Sequence, residues 1–180
     1  MRRLPLHSGS RLPLVALPDD VTLLAAPPPL EPLADVRAAV IEALRYPLAG
    51  PTLGSVIPRG GRATVVLQPP TLPVPTVEND PRRDALGAVL DVLEQHGLPP
   101  DRVTLLFAGG LGRRPRPREL ESLLRPERAR DFRGAIVVHD CEAEDLRRLT
   151  VEGRTLRVHP ALVETDVVVT VGAAETTLHG

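Results

Sequence analysis

The chain has 180 residues, of which 42% are hydrophobic and 25% charged, and its formal net charge is -1. These values are typical of a globular domain large enough to bury a core. The lack of a basic excess argues against general nucleic-acid binding, and aromatic residues that could stack on bases make up only 2% of the chain. We therefore expect no nucleic-acid partner.

Two residue types further limit the chemistry. The sequence contains no lysine, which excludes a Schiff base, a P-loop lysine or a lysine-linked cofactor within these residues. Cys141 is the only cysteine, which excludes an internal disulfide and a cysteine-based zinc site. No run approaches the roughly 20 apolar residues of a membrane helix, and the N-terminus does not resemble a signal peptide. We expect a cytoplasmic protein without a membrane partner.

The N-terminal region is predicted to combine a loose lead-in over residues 1–12 with the start of one domain over residues 13–180. Leu14–Leu17 and Val21–Ala25 flank the turn-forming segment Pro18–Asp20. Short apolar runs on both sides of such a turn predict a β-hairpin.

Two helices are predicted on either side of the first buried strand. The first spans about Leu33–Arg45 and ends before Pro47, because the residue preceding a proline disfavours the helical conformation. The second begins with Asp80 as its cap and Pro81 in the first helical position, and ends near Gly97. Its predicted inward stripe consists of Leu86, Val89, Leu90 and Leu93.

Four aliphatic runs have the length and composition of buried strands: Ala63–Leu67, Val103–Phe107, Ala135–Val138 and Asp166–Val171. Between them we predict helices at about Pro117–Leu124 and Glu142–Leu149, and a strand pair around Arg154–Val158. Strands alternating with helices predict an α/β fold with three layers, in which helices cover both faces of a mainly parallel, open, Rossmann-like sheet, with the hairpin at the N-terminus. The loops after the four strands would meet at one edge, where such folds bind ligands.

Short motifs follow these elements in a defined order. In chain order they are Ala43–Leu53, Thr71-x-Pro73-x-Pro75, Ala108-x-Gly110-x-x-Arg113, His139-Asp140 and Gly172-x-x-Glu175. This series resembles the N-terminal domain of the lactate racemase family, from about Leu12 to Gly180. The resemblance implies an isomerase, a racemase or epimerase of 2-hydroxy acids that uses a nickel pincer nucleotide. In such an enzyme the cofactor accepts a hydride, two histidines serve the two faces of the substrate as bases, and an arginine holds the carboxylate.

The resemblance also implies that the first two loops have changed. The family's acidic residue and arginine in the first loop correspond to Pro69 and Leu72, while Thr71 is kept. The histidine of the second loop corresponds to Gly112, which is followed by the matching Arg113. Neither Leu72 nor Gly112 has a side chain that transfers protons.

The fourth loop differs in the same way. Glu175 matches the family, but the histidine position corresponds to Thr177, which is a very poor base. Losing one general base typically costs about 10²–10⁴-fold in rate, so the resemblance implies that the racemase reaction is lost or altered. The family's cofactor-linked lysine and nickel-binding histidine would lie beyond Gly180, so the domain would be truncated at its C-terminal end and a C-terminal domain absent from this chain would be a partner.

The remaining polar loop residues are candidates for the ligand edge: Thr71, Arg113, Arg114, His139, Asp140, Glu175 and Thr177. His139 and Asp140 could form a histidine–carboxylate pair, or Asp140 could cap the next helix with His139 structural. The arginines from 113 to 118 could bind a phosphate or carboxylate, or form a solvated loop. Cys141 is expected to be a small buried residue. His179 could replace the missing histidine of the fourth loop by a shift of that loop, or be a chain-end residue without a role.

Three functions stay open at this stage. The first is a divergent racemase-type domain with altered chemistry on a hydroxylated or anionic small molecule. The second is a non-catalytic domain that binds a small anion or a partner at the same edge. The third is a structural domain whose site has decayed.

Overall fold

The computed structural model of the chain describes residues 2–6, 8, 11–23, 28, 30–68, 80–109, 115, 119 and 122–172. The chain divides into two compact units, residues 1–32 and 33–180. The separation of a lead-in over residues 1–12 from a domain over residues 13–180 stays a prediction. Among the described residues, no helix has the length and apolar character needed to cross a membrane.

The N-terminal unit contains the expected hairpin, but its first strand differs from the predicted one. Strand β1 (Arg2–Pro5) pairs antiparallel with β2 (Leu14–Leu17). Residues 21–23 form no strand, so the predicted pairing of β2 with Val21–Ala25 is wrong over the part that the structure describes. The physical reason lies in the turn, because neither Asp19 nor Asp20 has the positive φ that a hairpin loop of two or three residues requires.

Among the described residues, the second unit contains six further strands. They are β3 (Ala63–Leu67), β4 (Val103–Phe107), β5 (Ala135–Val138), β6 (Arg147–Val151), β7 (Arg154–Val158) and β8 (Val167–Val171). Four of them form a parallel sheet in the order β5-β4-β3-β8. Strands β6 and β7 form a separate antiparallel hairpin. The predicted α/β class, with a mainly parallel sheet and an N-terminal hairpin, is confirmed.

The helices are α1 (Val36–Arg45), α2 (Leu53–Val56), α3 (Pro81–Gln95) and α4 (Pro126–Asp131). As predicted, the Asp80 side chain caps α3 and Pro81 occupies its first position. Gly97, with a φ of 86°, ends the helix in the left-handed conformation that glycine adopts without strain. The short helices α2 and α4 were not predicted, because each is too short to show a helical period.

The main core lies between α3 and one face of the sheet. The predicted stripe of α3 is buried, and it packs with the strand residues of that face: Ala63, Val65, Leu67, Val103, Leu105 and Phe107. Burying one aliphatic side chain of this size contributes about 1.5–3 kcal/mol. This face therefore provides most of the stability that holds the strand ends in place.

An ion network joins the helices on the same face. Asp91 of α3, with 12% of its side chain exposed, accepts from Arg37 of α1 and from Arg128 of α4, and Arg128 also pairs with Glu94. On the opposite face of the sheet lies the short turn Pro160–Leu162, where the carbonyl of Ala161 accepts from the Thr64 hydroxyl. A helical layer on that second face, which the three-layer prediction requires, stays a prediction.

The predicted helix at Glu142–Leu149 is wrong. Turns are found up to Asp145, and Arg147–Val151 is strand β6. The reason lies downstream, because the turn at Glu152-Gly153 has φ angles of 49° and 75°, and two positive φ values favour a tight hairpin that pairs β6 with β7. Half of the predicted helix Pro117–Leu124 lies outside the described residues. Of the rest, Glu119 is helical, whereas residues 122–124 form a turn in which Leu123 and Leu124 are buried, so the predicted helix does not reach Leu124.

Candidate ligand site

Backbone hydrogen bonds continue the parallel ladder one residue beyond the strands. The Gln68 N–H donates to the carbonyl of Val171 at 3.1 Å, the Ala108 N–H to Leu67 at 2.9 Å, and the His139 N–H to Phe107 at 2.8 Å. The four chain segments therefore leave the sheet side by side at its carboxyl edge. Open α/β sheets bind ligands at this edge.

Two glycines permit close packing at this edge. A Cβ atom at Gly109 would lie 2.7 Å from the carbonyl oxygen of His139, and a Cβ atom at Gly172 would lie 3.0 Å from Oε1 of Gln68. The first approach is to a backbone atom, which cannot rotate away. The sequence places glycine at position 109 because no larger residue fits beside β5 there.

Arg82 holds together the two ends of the loop between β3 and α3. Its guanidinium binds the Asp80 carboxylate, with Nε donating to Oδ1 at 3.0 Å and a terminal nitrogen donating to Oδ2 at 2.5 Å. Its other terminal nitrogen donates to the carbonyl of Gln68 at 2.8 Å. Both side chains of the ion pair are largely buried, so the first turn of α3 is fastened to Gln68, the residue that follows β3.

The carboxylate of this pair predicts a pH-dependent stability. Hydrogen bonding and charge from Arg82 lower the pKa of Asp80, so its contribution is present above the unfolded pKa, about 3.9, and is lost as the pH falls through the lower folded value. Asp80→Asn keeps a capping oxygen but removes the charge. We expect a loss of about 1 kcal/mol at pH 7 that shrinks as the pH falls below about 4, measured by urea unfolding across pH.

The matched control is Asp35→Asn. Asp35 caps α1 by accepting from the Ala38 N–H at 2.9 Å, and the described part of the chain gives it no arginine partner. Its substitution should cost less than half as much at pH 7. Equal losses for the two variants would contradict the role assigned to Arg82.

His139 lies at the carboxyl end of β5, as predicted. Because side chains alternate between the two faces along β5, His139 lies on the same face of the sheet as Val137, opposite the face that packs against α3. Its Nδ1 is buried and has no hydrogen-bond partner among the residues that are described. A histidine–carboxylate pair with Asp140 through that nitrogen is therefore not formed.

Asp140 and Cys141 follow in a turn instead of a helix. Oδ1 of Asp140 accepts from the Glu142 N–H at 3.1 Å, so Asp140 caps a turn where the capping of a helix was expected. Cys141 is a free thiol of intermediate exposure, which corrects the expectation that it is buried.

His159 is not among the residues predicted for the site, and the structure brings it to His139. Their ring centroids are 6.3 Å apart and the rings meet edge to face, at an interplanar angle of 79°. His159 also lines a cavity of about 240 Å³ that extends toward the amino ends of the strands. The feature of the sequence that could have indicated a role for His159 is its position, directly before Pro160 and at the end of a run that alternates like a strand.

The other predicted ligand-edge residues lie outside the described residues. These are Thr71, Arg113, Arg114, Glu175 and Thr177, together with the substituted positions Pro69, Leu72 and Gly112 and the chain-end residue His179. Their grouping with His139 and Asp140 stays a prediction.

The described residues do not fit a resident nickel cofactor by themselves. Within the described ranges, no three His, Cys, Asp or Glu side chains lie together in a way that could hold a metal ion. The whole sequence also lacks a lysine for covalent attachment. No chemical step through such a group follows from these residues.

The fold and the edge define the class of protein. A parallel sheet whose strand ends are aligned at one edge, with helices packed on it, is an open α/β domain, a class in which ligands bind at the carboxyl edge. Residues 9–179 match the family model described as the lactate racemase N-terminal domain. The chain belongs to this family.

A solved structure has the same fold. It is the lactate racemase apoprotein from Thermoanaerobacterium thermosaccharolyticum, which superposes with a TM-score of 0.63 and 21% sequence identity. The similarity covers 94% of this chain and 38% of that one, so the chain corresponds to about two fifths of that protein. Among curated proteins, no sequence matches the chain.

Proposed function

We propose that this chain is the N-terminal domain of a divergent racemase-type protein that binds a hydroxylated or anionic small molecule at the carboxyl edge of its sheet. The observation that favours this is the alignment of Gln68, Ala108 and His139 by backbone hydrogen bonds of 2.8–3.1 Å. Family membership supports the same edge. The complete site would include a C-terminal domain as partner.

The reaction of the proposed protein differs from racemisation of lactate as the family performs it. The positions that correspond to the family's two bases are Gly112 and Thr177, and the position of its carboxylate-binding arginine is Leu72. A glycine has no group that could accept the hydroxyl proton, and leucine cannot hold a carboxylate. We therefore expect activity on lactate to be lost, and any remaining isomerase activity to use another hydroxylated substrate and a different base.

The pincer nucleotide is the proposed cofactor only in the complete protein. When bound, it would supply the hydride acceptor. The described residues would then contribute the rigid carboxyl edge, and Arg82 would hold the loop that precedes α3 against the end of β3. His139 is the described candidate for proton transfer, since the ring nitrogens of an imidazole can accept and donate a proton.

The test uses the full open reading frame of the gene, expressed together with the enzymes that make the pincer nucleotide. We expect nickel and the nucleotide to co-purify in a 1:1 ratio with the protein, as measured by elemental analysis and mass spectrometry. Turnover of D-lactate, L-lactate and larger 2-hydroxy acids is followed by chiral chromatography. Protein that contains neither nickel nor nucleotide would rule out the divergent enzyme.

The non-catalytic alternative is favoured by the residues at positions 72, 112 and 177, because they lack a base for catalysis but add no negative charge that would repel an anion from the carboxyl edge. It predicts thermal stabilisation by hydroxy-acid anions without turnover, amounting to about 2.7 kcal/mol at 100 times the dissociation constant. Arg113→Gln combined with Arg114→Gln should abolish the shift. The control pair Arg59→Gln and Arg148→Gln removes the same charge from exposed positions outside the proposed ligand edge and should leave it unchanged. If none of the hydroxy-acid anions raises the thermal stability, the remaining explanation is a structural domain whose site has decayed.

A further inference from the structure

His159 caps the turn that leads from the β6–β7 hairpin to β8. Its Nδ1 accepts from the Ala161 N–H at 3.2 Å. Because that nitrogen accepts, the ring of the folded protein is neutral and its proton is on Nε2. A protonated imidazole has no acceptor and cannot make this bond.

The residue that His159 binds is also fastened to the sheet. The carbonyl of Ala161 accepts from the hydroxyl of Thr64 at 2.7 Å, and Thr64 is only 1% exposed in the central strand β3. Ala161 is thus held on its N–H side by His159 and on its carbonyl side by a buried hydroxyl. The pair of bonds fixes the turn Pro160–Leu162 to the second face of the sheet.

The surroundings of His159 oppose its protonation. Burial lowers the pKa of His159, and the neighbouring His139 lowers it further, while the carboxylates of Asp145 and Glu164 act in the opposite direction. Glu164 is itself paired with Arg147 of β6 at 2.6 Å, and Arg62 lines the adjoining cavity. The Nδ1 of His139 is buried beside His159 and has no hydrogen-bond partner among the described residues.

We propose that His159 is a proton-sensitive latch that holds the turn Pro160–Leu162 on the sheet when neutral and releases it when protonated. Release frees the connection between the β6–β7 hairpin and β8, which also forms one wall of the 240 Å³ cavity. The direction follows from linkage: a histidine with a lowered folded pKa stabilises the fold above its unfolded value of about 6.5, and that stability is lost as the pH falls below it.

Amide hydrogen exchange measured by NMR at pH 7.5 and pH 5.5 tests the latch. Protection factors, which correct for the intrinsic pH dependence of exchange, are compared for Ala161 and for the core residue Leu105. We expect protection at Ala161 to fall at least about fivefold at the lower pH, the equivalent of losing one helix cap. Protection at Leu105 should change much less.

Two variants distinguish the latch from general acid destabilisation. His159→Asn can still cap but does not titrate, so its protection at Ala161 should be the same at both pH values. The control His96→Asn removes a histidine that binds the Val92 carbonyl on α3, and should retain the wild-type pH response. An unchanged wild-type protection at pH 5.5, or an equal drop in His159→Asn, would overturn the proposal.

A measurement on the unaltered protein makes the test independent of whether the variants fold. The ring signals of His159 and the amide signal of Ala161 are followed together from pH 8 to pH 5. The latch requires both to change with one common midpoint. An Ala161 amide that does not follow the His159 ring would also overturn it.

Discussion

Gly134→Ala is expected to lower the free energy of unfolding by about 3 kcal/mol, at the upper end of the range for overpacking. A Cβ atom at position 134 would lie 1.9 Å from the carbonyl oxygen of Val103, and 2.6 Å from both the Pro100 carbonyl oxygen and the ring of Phe132. Two of these three atoms belong to the backbone. The start of β5 would have to move away from β4, and the edge residue His139 would move with it.

Gly87→Ala is the matched control, because it adds the same methyl group to a buried glycine. Gly87 lies inside α3, and the nearest atom to its added Cβ is a guanidinium nitrogen of Arg37 at 3.5 Å, an ordinary contact. Since alanine favours the helix over glycine, we expect stability to rise by about 0.5–1 kcal/mol. Urea unfolding of the two variants should therefore show changes of opposite sign, and equal changes would contradict the packing described for β5.

The strands of the sheet and the helix α3 could be predicted because their signals are local. A run such as Ala63–Leu67 has enough β-branched and aliphatic residues to specify a buried strand. Asp80, Pro81 and Gly97 mark the two ends of α3 by short-range chemistry alone. Each of these predictions rests on residues within one element, and each is confirmed.

The errors arose where residues outside a segment decide the structure of that segment. Strand β2 pairs with Arg2–Pro5 and not with the apolar run that follows it, and that choice depends on the turn geometry at Asp19 and Asp20. The segment Arg147–Val151 has residues that suit a short helix, but its pairing with Arg154–Val158 overrides that propensity. Local patterns cannot decide between such alternatives.

The candidate site was predicted in part for the same reason. The alignment of strand ends follows from a parallel sheet, so the position of His139 at the carboxyl edge could be predicted. Its contact with His159, 20 residues later, depends on how the β6–β7 hairpin returns to the sheet. A helix over Glu142–Leu149, as predicted from the sequence, would not form the β6–β7 hairpin that brings His159 back to the sheet.

Phe107→Ala is expected to cost about 3–5 kcal/mol, a large part of the 5–15 kcal/mol that typically stabilises a domain. Phe107 is the largest fully buried side chain of the described core, in a chain with two Phe, one Tyr and no Trp. Its carbonyl also accepts from the N–H groups of Gly109 at 3.0 Å and His139 at 2.8 Å. Its position therefore sets that of two edge residues.

Phe107→Leu and Tyr46→Ala separate the causes of this loss. Leucine keeps most of the volume, so Phe107→Leu should cost less than about 1.5 kcal/mol by denaturant unfolding, whereas Tyr46, 71% exposed, should be nearly neutral. If leucine were as costly as alanine, the shape of the ring and not its volume would be decisive. In the expected case an aliphatic core of ordinary packing holds the edge, and the proposed chemistry can diverge in the loops without altering the sheet that positions them.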